Sequence, residues 1–205
     1  MFAIKRNEEN PLLSPHPDHP WEAAATFNWC PAMKGNTLHV VYRAMSRPEL
    51  MDQTHIQMSV IGHAASTDGT HFSDRRTLIT PKHDFEKYGC EDPRVTKFGS
   101  DYYIFYTALG KYPFSADGIK IAVAKTKDFK KIDERHLVTP FNAKAMALFP
   151  EKVNGKMAAL LTAHTDLPPA EIAYVEFDKE EDIWSETFWE EWAAQNLLYI
   201  FLIRR

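Results

Sequence analysis

The chain has 205 residues, 44% of them apolar and 25% charged, enough for one domain with a core of its own. A net charge of −4 without a basic stripe argues against a nucleic-acid partner, and no stretch nears the roughly 20 apolar residues of a membrane helix. Cys30 and Cys90 lie far apart with no C-x-x-C spacing, so neither zinc nor a disulfide framework is expected, and both read as reduced and buried.

The opening, MFAIKRNEENPLL, lacks the apolar run of a signal peptide. The expectation is a cytoplasmic protein, or a periplasmic one if a leader has been removed. From there three copies of one layout follow: a turn, an apolar strand ending in a small residue, and a further strand. In the first copy Lys34-Gly35-Asn36 precedes a strand expected over 37–44, then Ile61 to Ala64 leads to Asp68-Gly69, and Leu78-Ile79-Thr80-Pro81 closes it. The second runs from Phe98-Gly99-Ser100 through 101–108 and Ile121 to Ala124, reaches Asp128-Phe129 and closes on Leu137-Val138-Thr139-Pro140. The third starts at Val153-Asn154-Gly155, continues over 156–163 and fades after Ile172-Ala173. Gly and Asn at the turns supply the positive φ that a tight hairpin requires.

Recurrence at about 55–65 residues suits a four-stranded propeller blade with generous loops. A β-sandwich of hairpins is the competing all-β reading. Only Glu180 to Ala194 offers a helical stretch. The final NLLYIFLIRR is a short apolar run closed by two arginines, and it reads as an atypical tail over 193–205. Residues 1–192 then form a partial propeller with blades near 21–81, 90–140 and 147–192. Propellers have about four to eight blades. Three visible copies therefore imply missing blades or a partner, and the apolar edges of an open ring invite a homo-oligomer.

The densest polar cluster is Cys90-Glu91-Asp92-Pro93-Arg94, entering an apolar strand. Charges there must be paired or used, and Pro93 biases Asp92 towards extended backbone. Asn28 and Lys152 stand near the starts of the other two blades, so Asn28, Asp92 and Lys152 are expected around one central pit. Arg43 ends an apolar strand, and His164 and Asp166 follow another. The scattered histidines offer no second ligand at metal-binding spacing, so no metal is expected.

Six blocks in order resemble glycoside hydrolase family 130: NPLLSP (10–15), WEAAATFN (21–28), VVYRA (40–44), AASTDGTHF (64–72), CEDPRVTKFGSDYYIFYTA (90–108) and ALFPEKVNGK (147–156). That family comprises inverting β-mannoside phosphorylases and hydrolases on a five-bladed β-propeller. The resemblance implies that Asp92 is the general acid and that Asn28, Arg43, Arg94 and Asp166 bind or shape the substrate site. In a phosphorylase, Lys144, Lys152 and His164 would hold inorganic phosphate, the co-substrate; no other cofactor is implied. The implied partner is an oligosaccharide substrate. The family's phosphorylases carry arginines before LFP and after NGK, where this chain has Lys144 and His164. That difference tilts the reading towards an inverting glycosidase of β-mannosides, with a phosphorylase releasing mannose 1-phosphate, or a non-catalytic sugar-binding propeller fragment, as alternatives. The chain also reads as truncated at its C-terminus.

Overall fold

The computed structural model describes residues 5–166 and 170–197. Turn chemistry lays out the chain. Gly35 and Gly99 adopt φ of 58° and 60°, and the Asn154-Gly155 pair 51° and 82°, so each begins a two-residue turn between pairing partners (Lys34 with Thr37, Phe98 with Asp101, Val153 with Lys156).

The first sheet contains β1 (Ala25–Lys34) and β2 (Thr37–Met45). A small hairpin follows, β3 (Glu49–Met51) and β4 (Thr54–Ile56), before β5 (Ser59–Ser66) and β6 (Ser73–Ile79) complete the antiparallel order β1-β2-β5-β6. The second sheet repeats this up-and-down order with β7 (Cys90–Phe98), β8 (Asp101–Leu109), β9 (Ile119–Thr126) and β10 (Glu134–Leu137). The third has three strands, β11 (Ala143–Leu148), β12 (Met157–Ala163) and β13 (Glu171–Phe177). A 3-10 turn (Glu180–Trp184) and α1 (Glu186–Asn196) succeed it, and Ser185 Oγ caps the helix by accepting from Phe188 N at 3.3 Å. Part of the tail expected over 193–205 thus continues the helix, and 198–205 lie outside the described residues.

The sheets follow one another as blades. Their first strands lie together, β7 touching both β1 and β11. The run Tyr102-Tyr103-Ile104-Phe105-Tyr106 in β8 is apolar throughout because the second blade is covered on both faces. By the two-residue period, Tyr102, Ile104 and Tyr106 pack with Val41, Ile61 and Phe129 towards the first blade. Tyr103 and Phe105 pack with Met146, Leu161 and Trp189 towards the third. Burying each such side chain contributes about 1.5–3 kcal/mol.

A buried acid anchors each of the first two blades. Glu22, fully buried, accepts from Tyr42 Oη at 2.8 Å, and Arg75 Nη2 lies 2.8 Å from the same carboxylate. Glu86, also fully buried, accepts from Tyr106 Oη at 2.5 Å, from Arg135 Nη1 at 2.6 Å and from the backbone N–H of Lys82 at 3.0 Å. Each acid sits in a 3-10 turn before the blade's first strand, its tyrosine on the second and its arginine on the outermost.

Between these blades lies a histidine pair. His39 Nδ1 is 2.9 Å from His63 Nε2, and the Phe129 ring stacks on His39 at 4.7 Å between centroids. Arg76 donates to the Phe129 carbonyl at 2.7 Å and pairs with Asp74.

Candidate active site

In each blade the first strand breaks register with the second at one place. The breaks fall between Phe27 and Cys30, Glu91 and Arg94, and Lys144 and Ala147. The residue entering each β-bulge is left-handed: Asn28 at φ 51°, Asp92 at 51° and Ala145 at 55°. Asn and Asp tolerate this conformation through their short polar side chains, whereas Ala adopts it at a cost. A bulge re-aims the side chain it carries, and the first two aim at each other: Asn28 Nδ2 donates to Asp92 Oδ1 at 2.7 Å.

Arg43 joins them from β2, opposite Phe27, with its guanidinium carbon 4.9 Å from the Phe27 ring centroid. Its Nη1 lies 3.5 Å from Asp92 Oδ1, its Nη2 pairs with Glu91 Oε1, and its Nε donates to Ser59 Oγ at 3.1 Å. The Ser59 hydroxyl donates in turn to Glu91 at 3.2 Å. Burial raises the Glu91 carboxyl above its ordinary value. Arg43 opposes that rise, Asp92 adds to it, and the Lys144 charge also reaches Glu91 from the third blade. Asp92 keeps 28% of its side chain accessible, so this carboxylate is held in place and still open to a ligand. Two acids, a guanidinium and an amide converge where the first strands meet, an arrangement suited to gripping sugar hydroxyls and moving a proton.

The other residues expected at the site fall differently. Arg94 lies beyond the bulge and turns Nη1 to its neighbour's carbonyl, Pro93 O, at 3.1 Å; the arginine beside the acids is Arg43. Lys152 does not share the pit with Asn28 and Asp92. It is exposed past the far end of β11, beside the Asn154-Gly155 turn, and the matching bulge position belongs to Ala145. Strand register, which a spacing argument cannot see, decides this. Lys144 stands at the third bulge. His164 leaves β12 at the same end, with its N–H on Asn142 O at 3.0 Å and its ring against Phe141. Asp166 is exposed, and among the described residues neither it nor Lys152 bonds to the Asn28–Asp92 cluster. Glu91 and Ser59 belong to the site although sequence reasoning gave them no role; for Glu91 the adjacency to Asp92 was the available signal.

A cavity of about 710 Å³ lies elsewhere: Trp21, Met58, Val60 and Thr80 line it. Met58 and Val60 flank Ser59 in the chain, and Val60 packs on the face of blade one opposite Ile61. A second cavity of about 340 Å³ includes Asn28, beside Phe27 and Trp29. Among the described residues no group of three or more His, Cys, Asp or Glu is placed to hold a metal.

Successive antiparallel sheets whose first strands meet at two carboxylates and a guanidinium form a protein of β-propeller type with a polar centre. The chain belongs to glycoside hydrolase family 130, whose model, described as beta-1,4-mannooligosaccharide phosphorylase, matches residues 4–191. It is 34% identical over 165 residues to the β-1,2-mannobiose phosphorylase of Thermoanaerobacter sp. strain X514, covering 76% of this chain and 53% of that protein. To the 1,2-β-oligomannan phosphorylase of the same organism it is 31% identical, covering 82% and 56%. The chain thus spans about half the length of the curated relatives it matches. The fold is similar to that of the Listeria innocua β-1,2-mannobiose phosphorylase bound to β-1,2-mannobiose, with a TM-score of 0.63 at 23% identity over 83% of this chain and 62% of that one.

Proposed function

We propose that this chain supplies the proton-donating side of an inverting β-mannoside phosphorylase, with Asp92 as general acid. A phosphate oxygen attacks the anomeric carbon from the face opposite the leaving sugar. The bond from that carbon to the glycosidic oxygen breaks, and a proton originating on Asp92 reaches the leaving oxygen through a mannose hydroxyl. The products are α-mannose 1-phosphate and the shortened saccharide. Asn28 and Arg43 orient the carboxyl, and Lys144 from the third blade favours the phosphate dianion. The funnel is completed by further blades in a five-bladed ring.

The observation that carries this reading is the clasp of Asp92 Oδ1 by Asn28 and Arg43 from the neighbouring blade. The absence of arginines before LFP and after NGK favours hydrolysis when the sequence is taken alone. The relatives, named as phosphorylases, and the charge of Lys144 beside Glu91 support phosphorolysis instead. The test is incubation with β-1,2- and β-1,4-mannobiose, with and without phosphate. Mannose 1-phosphate formed only with phosphate is expected, with Asp92→Asn lowering the rate by about 10²–10⁴. Free mannose released without phosphate would make the enzyme a hydrolase, and an unimpaired Asp92→Asn would remove the aspartate from the mechanism.

A further inference from the structure

The loop joining β8 to β9 carries two exposed aromatic rings, Tyr112 and Phe114, with 38% and 52% of their surface accessible. They do not stand alone. Tyr112 packs against Phe114 edge-on at 5.3 Å between centroids and against Tyr88 at 5.9 Å. Tyr88 is fixed by a donated hydrogen bond from its hydroxyl to Asp52 Oδ2 at 3.0 Å, and Lys87 pairs with the same carboxylate at 2.8 Å. The loop is held at its other end, where the Asn142 amide donates to Ala116 O at 2.9 Å and Lys111 pairs with Asp117. The result is an aromatic shelf anchored by all three blades, with its charges already paired.

We infer that Tyr88, Tyr112 and Phe114 form a sugar platform for the leaving-group side of a manno-oligosaccharide, beyond the ring seated at Asp92 and its immediate neighbour. This rests on the phosphorylase reading above. Three observations select a neutral saccharide. The patch is aromatic rather than aliphatic, and a ring face matches the C–H face of a pyranose. Its rim offers acids and amines in pairs, Asp52 with Lys87 and Asp117 with Lys111, which hydroxyl groups can bridge and which present no net field to a charged ligand. The loop also leaves β8 at the end that carries the site: Thr107 pairs with Glu91, and Gly110 follows three residues on. That is roughly 10 Å along an extended chain.

The test is phosphorolysis of β-1,2-mannobiose and β-1,2-mannotriose by the full chain and by Tyr112→Ala/Phe114→Ala, with calorimetric binding of mannotriose to both. Both rings are exposed, so the fold is expected to persist, and circular dichroism checks it. The double variant should lose about tenfold in kcat/KM on the trisaccharide, equal to about 1.4 kcal/mol, while the disaccharide changes less than twofold. An unchanged trisaccharide, or an equal loss on both substrates, overturns the platform and leaves the phosphorylase reading standing. If neither protein turns over any substrate, tighter mannotriose binding by the unaltered chain still supports the platform, and equal binding overturns it.

Discussion

The first two blades and the third are built from one repeat yet stabilised in different ways. Blades one and two each bury an acid between a tyrosine and an arginine: Glu22 with Tyr42 and Arg75, Glu86 with Tyr106 and Arg135. In the third, the pairing register puts the apolar Leu161 where the tyrosine would be, because Lys144 pairs with Thr162 as Glu91 pairs with Thr107. At the closing edge of blade two, Thr139 is fully buried with a smaller job, its Oγ1 accepting from Ile121 N at 3.0 Å. In place of a latch, the third blade has an apolar cap. Trp189 of α1 is fully buried against Phe141 and Phe177, and its Nε1 donates to Ile183 O at 2.8 Å. A buried ionic latch fixes geometry but fails badly when one partner is removed, whereas an aromatic cap degrades with lost area.

The largest effect should come from breaking a latch. Glu86→Ala leaves the Arg135 guanidinium and the Tyr106 hydroxyl buried without their acceptor, and urea unfolding is expected to show a loss of about 3–5 kcal/mol. Thr139→Ala, which removes a single neutral hydrogen bond at the edge of the second blade, should cost only about 1 kcal/mol. Equal losses at the two positions would erase the distinction between a buried ionic latch and a single neutral hydrogen bond.

Next in size is a pH effect at the seam between blades one and two. Burial lowers His63 to about 4, helped by the charges of Arg76 and His39 and opposed by Asp74. His39 is lowered too, by burial and by Lys34 and Arg76, with Asp74 and Asp128 opposing. In the unfolded chain His63 titrates near 6.5, so between that pH and about 4 the unfolded state binds more protons. Stability is therefore complete above pH 6.5 and falls as the pH drops through this window, by on the order of 2–3 kcal/mol for His63. Hydrogen exchange at pH 5 should show the amides of β2, β5 and the Phe129 loop losing protection before those of β11 and β12. In His63→Phe the acid limb of the stability curve should flatten; an unaltered limb would place the pH sensitivity elsewhere.

The smallest effect has the opposite sign. Ala145 holds the left-handed bulge of the third blade without a side chain suited to it. Ala145→Asn should stabilise by about 1 kcal/mol, read as a raised Tm. A neutral or destabilising result would mean that the bulge carries little strain.

Much of this architecture was legible in the chain. Gly35, Gly99 and Asn154-Gly155 announce the hairpins, and the strands between them alternate or run apolar according to whether one face or both are covered. The site was half legible. Asp92, Asn28 and Arg43 stand out as polar residues at the ends of apolar strands, and they do come together. Lys152 misled because distance from a motif is counted in residues, whereas position in a blade is counted in paired residues, and each bulge shifts that count. The two latches also went unread, although the acid and its tyrosine are the same twenty residues apart in both copies. Their burial depends on an arginine from the far edge of the sheet, which no local pattern announces. Ser59 carries no sequence signal at all.

The left-handed kink in β1, β7 and β11 survives in the third copy with only a methyl group to display. It is thus a property of the scaffold, kept whether or not a working side chain occupies it. The group displayed at one blade can therefore be exchanged without rebuilding the strand around it, since the bulge holds its shape with an amide, a carboxylate or a methyl group in place.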